Sequence, residues 1–113
     1  MSVELIRIDR EGVCIIALKG RLDSANGGDI ERGVSHLFMQ PGDKAVVDLE
    51  RLDYISSAGL RLMLMLAKRA QHTSGRFMLC ALAPPVREVF EISGFLKILA
   101  TRPNTDAALD SIG

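Results

Sequence analysis

The chain has 113 residues, 48% of them apolar and 25% charged, and its 14 basic side chains are balanced by 14 acidic ones. That length suits one compact domain over residues 1–113, and the composition excludes a disordered chain. Zero net charge, 4% aromatics and no Trp leave no footprint for nucleic acid, and no apolar run reaches the ~18 residues of a membrane span.

Residues 1–4 lack the basic and apolar regions of a signal peptide, so a cytoplasmic protein is expected. Residues 3–8 alternate apolar and polar, as a half-exposed strand does. Glu11-Gly12 is turn chemistry, so residues 13–18 should return antiparallel as the hairpin partner. After Gly20-Arg21-Leu22-Asp23 the spacing changes: Ile30, Val34, Leu37 and Phe38 form one helical stripe. Gly27 and Gly28 weaken its first turn, and Pro41-Gly42 stops it. Residues 44–49 are nearly continuous apolar sequence, fit for a central strand buried on both faces.

A long helix should follow over residues 57–71 and a strand over 77–82. Ala83-Pro84-Pro85 opens another helix, with proline in the tolerated first turn and Val86, Val89, Phe90 and Ile92 on the inner face. Ser93-Gly94 ends it. A short strand is expected over 96–99 and a terminal helix over 103–112. This β-β-α-β-α-β-α-β-α order implies an α/β fold: a mixed sheet, its first strand antiparallel and the rest mainly parallel, flanked by four helices.

The segment from Lys44 to Gln71 carries the most information. It hands a strand over to a helix through Asp53-Tyr54-Ile55-Ser56-Ser57-Ala58-Gly59. Helix N-termini present unpaired N–H groups and tolerate negative charge, so a serine there is either a cap or a phosphate acceptor. On a helical wheel Leu60, Met63, Leu64, Leu66, Ala67 and Ala70 form a broad apolar sector, which is core. The opposite sector holds Ser57, Arg61, Lys68, Arg69 and His72, with Met65 in its middle and Leu62 on its border. Met among charges suits a contact with a partner, though a singly exposed apolar residue is also ordinary. One cap needs one hydroxyl, whereas Ser56 and Ser57 offer two.

Other chemistries find little support. Cys14 and Cys80 lie in apolar strand-like runs and are expected as buried, reduced thiols. Neither His36 nor His72 has a second ligand at metal spacing, so no metal or cofactor is expected. A nucleophile elbow needs glycine two positions before its serine, where Ser57 has Ile55. No glycine-rich phosphate loop is present. Asp23, Asp48 and Asp53 fall near expected strand ends and read as structural caps in preference to an acid–base site. The chain is not expected to be an enzyme.

Val46-Val47-Asp48-Leu49 with Leu52-Asp53-Tyr54-Ile55-Ser56-Ser57-Ala58-Gly59-Leu60 resembles the signature of STAS domains. Gly20-Arg21-Leu22-Asp23 and Ile92-Ser93-Gly94-Phe95 extend the resemblance over most of the chain, nearest to single-domain bacterial anti-anti-sigma factors. The resemblance implies an anti-sigma factor antagonist that binds an anti-sigma serine kinase and is released by phosphorylation of the turn serine until a serine phosphatase restores it. The family turn commonly reads Asp-Ser-Ser-Gly; aligned on Gly59 the acceptor is Ser57, with Ser56 in the aspartate's place as a minor alternative and Ala58 replacing the second serine. The implied partner face combines Asp23, Ser24 and Asn26 with Ser56, Ser57, Ala58, Arg61, Leu62 and Met65. The rival reading is a STAS regulatory subunit of a transporter or other signalling complex, without a phosphorylation switch. A monomer is expected, with no direct contact to nucleic acid and no insertion into a membrane.

Overall fold

The computed structural model of the chain describes residues 3–112. Its elements follow the expected order: β1 (Val3–Arg10), β2 (Val13–Leu22), α1 (Gly27–Gly33), β3 (Lys44–Ile55), α2 (Ser57–His72), β4 (Arg76–Cys80), α3 (Pro84–Ser93), β5 (Thr101–Arg102) and α4 (Thr105–Ile112). The five strands lie side by side in chain order; β1 runs antiparallel to β2 and all other pairs are parallel. Glu11 and Gly12 both take positive φ (54° and 78°), the conformation a two-residue hairpin turn requires.

Strand alternation divides the interior in two. Ile16, Leu18, Val47, Leu49 and Leu79 join Leu60, Met63, Leu66, Val86 and Phe90 in the main core, which packs α1, α2 and α3 residues on the sheet. Val13, Ile15, Val46, Met78 and Cys80 face the other way and pack under Ala108 and Ile112 of α4. Residues 45–47 and Leu49 are no more than 1% exposed, so the centre of β3 is buried on both faces as its composition predicts.

Four departures from the sequence reading have a clear physical reason. The stripe Ile30, Val34, Leu37 and Phe38 is buried, yet the helix stops at Gly33; glycines at both ends leave only seven residues helical, and turns seat the rest. β3 runs six residues past Leu49. There only β2 flanks it, through a pairing with register shifts between Ala17/Lys19 and Gly20/Arg21, so Glu50, Arg51, Asp53 and Tyr54 are exposed and imitate a loop. The strand expected over 96–99 is instead a 3₁₀ turn, Phe95–Lys97, because Gly94 caps α3 with φ 79° and folds the chain back at once; β5 is only Thr101–Arg102. Ile92, expected on the inner face of α3, is 80% exposed; two residues beyond buried Phe90, it points away from the sheet.

Candidate functional site: the mouth of the central helix

The paired ends of β2 and β3 project beyond β4, whose pairing with β3 ends at Asp48↔Cys80. On this projection the Arg21 guanidinium lies 4.2 Å from the centroid of the Tyr54 ring, a cation–π contact. The chain then turns into α2 through Ser56, whose backbone is extended (φ −88°, ψ 174°). Its N–H donates to Leu22 O at 2.9 Å, its carbonyl accepts from Leu60 N at 2.9 Å, and its Oγ accepts from Gly59 N at 3.3 Å. Ser56 is therefore the N-cap, tied at every polar group to the strand end or the first turn.

Ser57 differs in every respect. It is the first residue of α2, it is exposed, and its hydroxyl has no hydrogen-bond partner among the described residues. The first turn of α2 contains no acidic residue, so the positive end of the helix dipole is not offset there. The doublet has divided the two roles that a lone serine would have to combine.

Gly59 explains how close the mouth lies to the sheet. A Cβ there would stand 2.7 Å from Ile55 Cγ1 and 3.0 Å from Leu22 Cδ2, both side chains being at most 2% exposed. The missing side chain thus faces the core: it lets α2 press on the strand ends and does not serve to clear the outer approach to the serines.

The loop after β2 is a second fixed element. The Asp23 carboxylate accepts from the N–H groups of Ala25 (3.0 Å) and Asn26 (3.2 Å). Asn26 Oδ1 accepts from Asp23 N at 2.9 Å, and its Nδ2 donates to Arg21 O at 2.7 Å. At 8% exposure Asn26, expected at a partner face, braces the loop from within. Asp23 is half-buried and Ser24 is exposed.

Between this loop and α2 runs an open groove of ≈ 420 Å³. Ser24, Gly27, Gly28 and Glu31 form one wall; Ala58, Arg61, Leu62 and Met65 form the other. Five of the residues expected at the partner face (Ser24, Ala58, Arg61, Leu62 and Met65) thus line one groove. Leu62 is only 5% exposed and packs in the core, so it forms the floor of the groove; the helix border is buried here. Met65 is half-buried, its sulfur 3.9 Å from Arg69 Nη2. Arg69, placed by the wheel among solvated residues, is half-buried too, and its Nη1 donates to Ser35 O at 3.4 Å, pinning α2 to the turn after α1. Glu31 and the bare backbone at Gly27-Gly28 were not anticipated. The glycine pair was visible in the sequence as a helix weakness, but nothing there placed it opposite Arg61.

The remaining candidates stand apart. Asp48 lies seven residues, about 20 Å, back from the end of β3. Its oxygens accept from Glu50 N at 3.0 Å and Thr105 Oγ1 at 3.4 Å, so it caps local structure beneath α4. Among the described residues no three His, Cys, Asp or Glu side chains are grouped to hold a metal ion. Cys80 is buried and its thiol is pushed up to about 11 by desolvation. Cys14 is only partly buried, against expectation, with its Sγ 3.9 Å from His36 Nε2; desolvation raises its pKa as well.

A model of the STAS domain matches residues 6–108. The chain belongs to the STAS domain family. This STAS chain is 44% identical over 108 residues to BtrV of Bordetella bronchiseptica, assigned as an anti-sigma factor antagonist, covering 96% of this chain and 91% of the relative. Its fold superposes on a Thermotoga maritima protein of the same assignment with a TM-score of 0.89 at 16% identity, covering 96% and 93% of the two chains. The anti-sigma factor antagonist SpoIIAA in its unphosphorylated form matches with a TM-score of 0.76 at 28% identity, covering 96% and 94%. SpoIIAA in its phosphorylated form, a Bacillus cell fate determinant, matches at 0.71 and 24% identity, covering 99% and 100%.

Proposed function

We propose that this STAS domain, as a single non-catalytic unit in the cytoplasm, is an anti-sigma factor antagonist switched off by phosphorylation of Ser57. The observation that carries the reading is the division of labour at the mouth of α2: Ser56 spends its hydroxyl on the cap, while Ser57 leaves its own exposed beside the groove. The relationship to BtrV and to SpoIIAA, the latter solved with and without phosphate, supports it.

In this reading an anti-sigma serine kinase docks across the α1–α2 groove, covering Ser24, Ala58, Arg61 and Met65. Docking releases the sigma factor. The kinase transfers the γ-phosphoryl group of ATP to Ser57 Oγ; the O–P bond forms as the bond to ADP breaks, and the hydroxyl proton is lost. The product carries nearly two additional negative charges at a surface the partner must cover. The same charges are welcome to the fold, because the free N–H groups and dipole of α2 point toward them. Repulsion therefore acts on the complex and not on the domain. A serine phosphatase hydrolyses the ester and resets the switch. Ser56, bound at Oγ, N and O, is a poor second acceptor.

The test is capture from the source bacterium's lysate on the immobilised chain, followed by mass spectrometry of both prey and bait. The expected prey is a serine kinase of the anti-sigma type, with phosphate mapped to Ser57 after addition of ATP. A kinase that modifies Ser56 alone, or a prey set holding transporter subunits and no kinase, contradicts the proposal.

A further inference from the structure

β1 is an edge strand, and its register on β2 runs unbroken through eight residues from Val3↔Gly20 to Arg10↔Val13. It contains no proline and no bulge, two of the devices that protect an exposed edge from pairing; its charged residues are Glu4, Arg7, Asp9 and Arg10. On its α4 side lie Glu4, Ile6, Ile8 and Arg10, every second residue. Ile6 is 46% and Ile8 50% exposed, beside a hollow of ≈ 210 Å³ shared with Ala17 and Asp48. α4 packs on β3, β4 and β5, and its described link to β1 is an ion pair from Arg10 to Asp106 at 3.8 Å.

The charges on this face are confined to its two ends and are opposite in sign. Glu4 stands three residues before Arg7 and Arg10 three after it; Ile6 and Ile8 flank it by one. Reversing the strand about Arg7 therefore exchanges acid for base and isoleucine for isoleucine. We propose that β1 pairs antiparallel with β1 of a second copy, about a two-fold axis at Arg7, joining two five-stranded sheets edge to edge. Such pairing is self-complementary, as a two-fold interface must be.

In this register Ile6 lies opposite Ile8 of the second copy and Glu4 opposite its Arg10. A shift by two residues sets Glu4 against Ile8 or Ile6 against Arg10, and a shift by one turns the apolar residues to the wrong face. On the far face the two Arg7 side chains meet across the axis. Each already holds Asp9 of its own strand at 3.3 Å, and the other copy's Asp9 lies on the diagonal. Lys19, opposite Glu4 in the hairpin, and Asp106, near Arg10, remain within reach of the same charges without excluding the new pairs. A monomer is expected from sequence because no long apolar edge demands a dimer; the symmetry of the outer face of β1 emerges once β1 is known to be the edge.

The test is sedimentation velocity of the full chain in low salt from roughly 1 µM to 1 mM, the span in which weak association is read. A reversible dimer is expected. Ile8→Lys should weaken it at least about tenfold, and so should Glu4→Arg or Arg10→Glu alone. The double variant E4R/R10E should restore it, since the swap recreates both pairs. Circular dichroism of each variant should match the wild type, because all three side chains are exposed. A chain that stays monomeric to the top of the range, a dimer indifferent to Ile8→Lys, or a double variant no better than its singles each overturns the proposal.

Discussion

Replacing Gly59 by alanine sets two effects of known sign against each other. Alanine is the better helix former by about 1 kcal/mol, so a glycine in the first turn of α2 looks like a stabilisation left unused. The geometry reverses that expectation. The new Cβ would meet Ile55 Cγ1 at 2.7 Å and two Leu22 carbons at 3.0 Å, and neither side chain has solvent to retreat into. Overpacking of this kind costs about 1–3 kcal/mol. The net expectation is a loss of up to about 2 kcal/mol, or up to roughly 10 °C in melting temperature for a domain of this size. Gly28→Ala is the internal control. Its nearest neighbour is Arg32 Nη1 at 3.7 Å, so there the helix preference should win and stability should hold or rise slightly. Thermal and urea unfolding of the two variants distinguish these outcomes. A Gly59→Ala protein that melts at or above the wild type would refute the claim that close approach of α2 to the strand ends fixes this glycine.

The other expectations follow from the same contacts. Ser56→Ala removes the cap to Gly59 N and should cost about 1 kcal/mol in urea unfolding, whereas Ser57→Ala should be near neutral; equal losses contradict the division of roles. Asn26→Ala leaves Asp23 N and Arg21 O without their partner in a buried loop and should cost about 1–3 kcal/mol, read by thermal melting. Met65→Glu should impair kinase capture while the melting temperature changes little; a large drop would mark Met65 as core. The Cys80 thiol, raised from 9.0 to about 11 in the fold, loses its proton later than in the unfolded chain. Stability should therefore be intact below pH 9 and fall as pH rises toward 11, by up to about 2 kcal/mol, and Cys80→Ser should flatten that slope.

Much of this was legible in the residues. Strand and helix order followed from periodicity, because the central strand is apolar throughout and α2 holds a clean stripe from Leu60 to Ala70. The end of β3 was hidden, since a strand paired on one side and shifted in register exposes Glu50, Arg51, Asp53 and Tyr54 like a loop. The serine turn was recognisable by its position between strand and helix, yet which hydroxyl capped and which stayed free needed the Gly59 N contact. The bracing role of Asn26 was hidden because its loop is polar in sequence but closed by internal hydrogen bonds in space. The groove was half-visible: one wall lies on a single helix face, while the other requires knowing that α1 packs beside α2.

Isothermal titration of the captured kinase with two preparations of this chain, unmodified and quantitatively phosphorylated at Ser57, weighs the toggle most directly. Affinity should fall by about tenfold or more on esterification, with both preparations unfolding at nearly the same temperature. Equal affinities, or a modified chain that binds poorly because it has come apart, would contradict a switch that acts by charge at an accessible helix entrance.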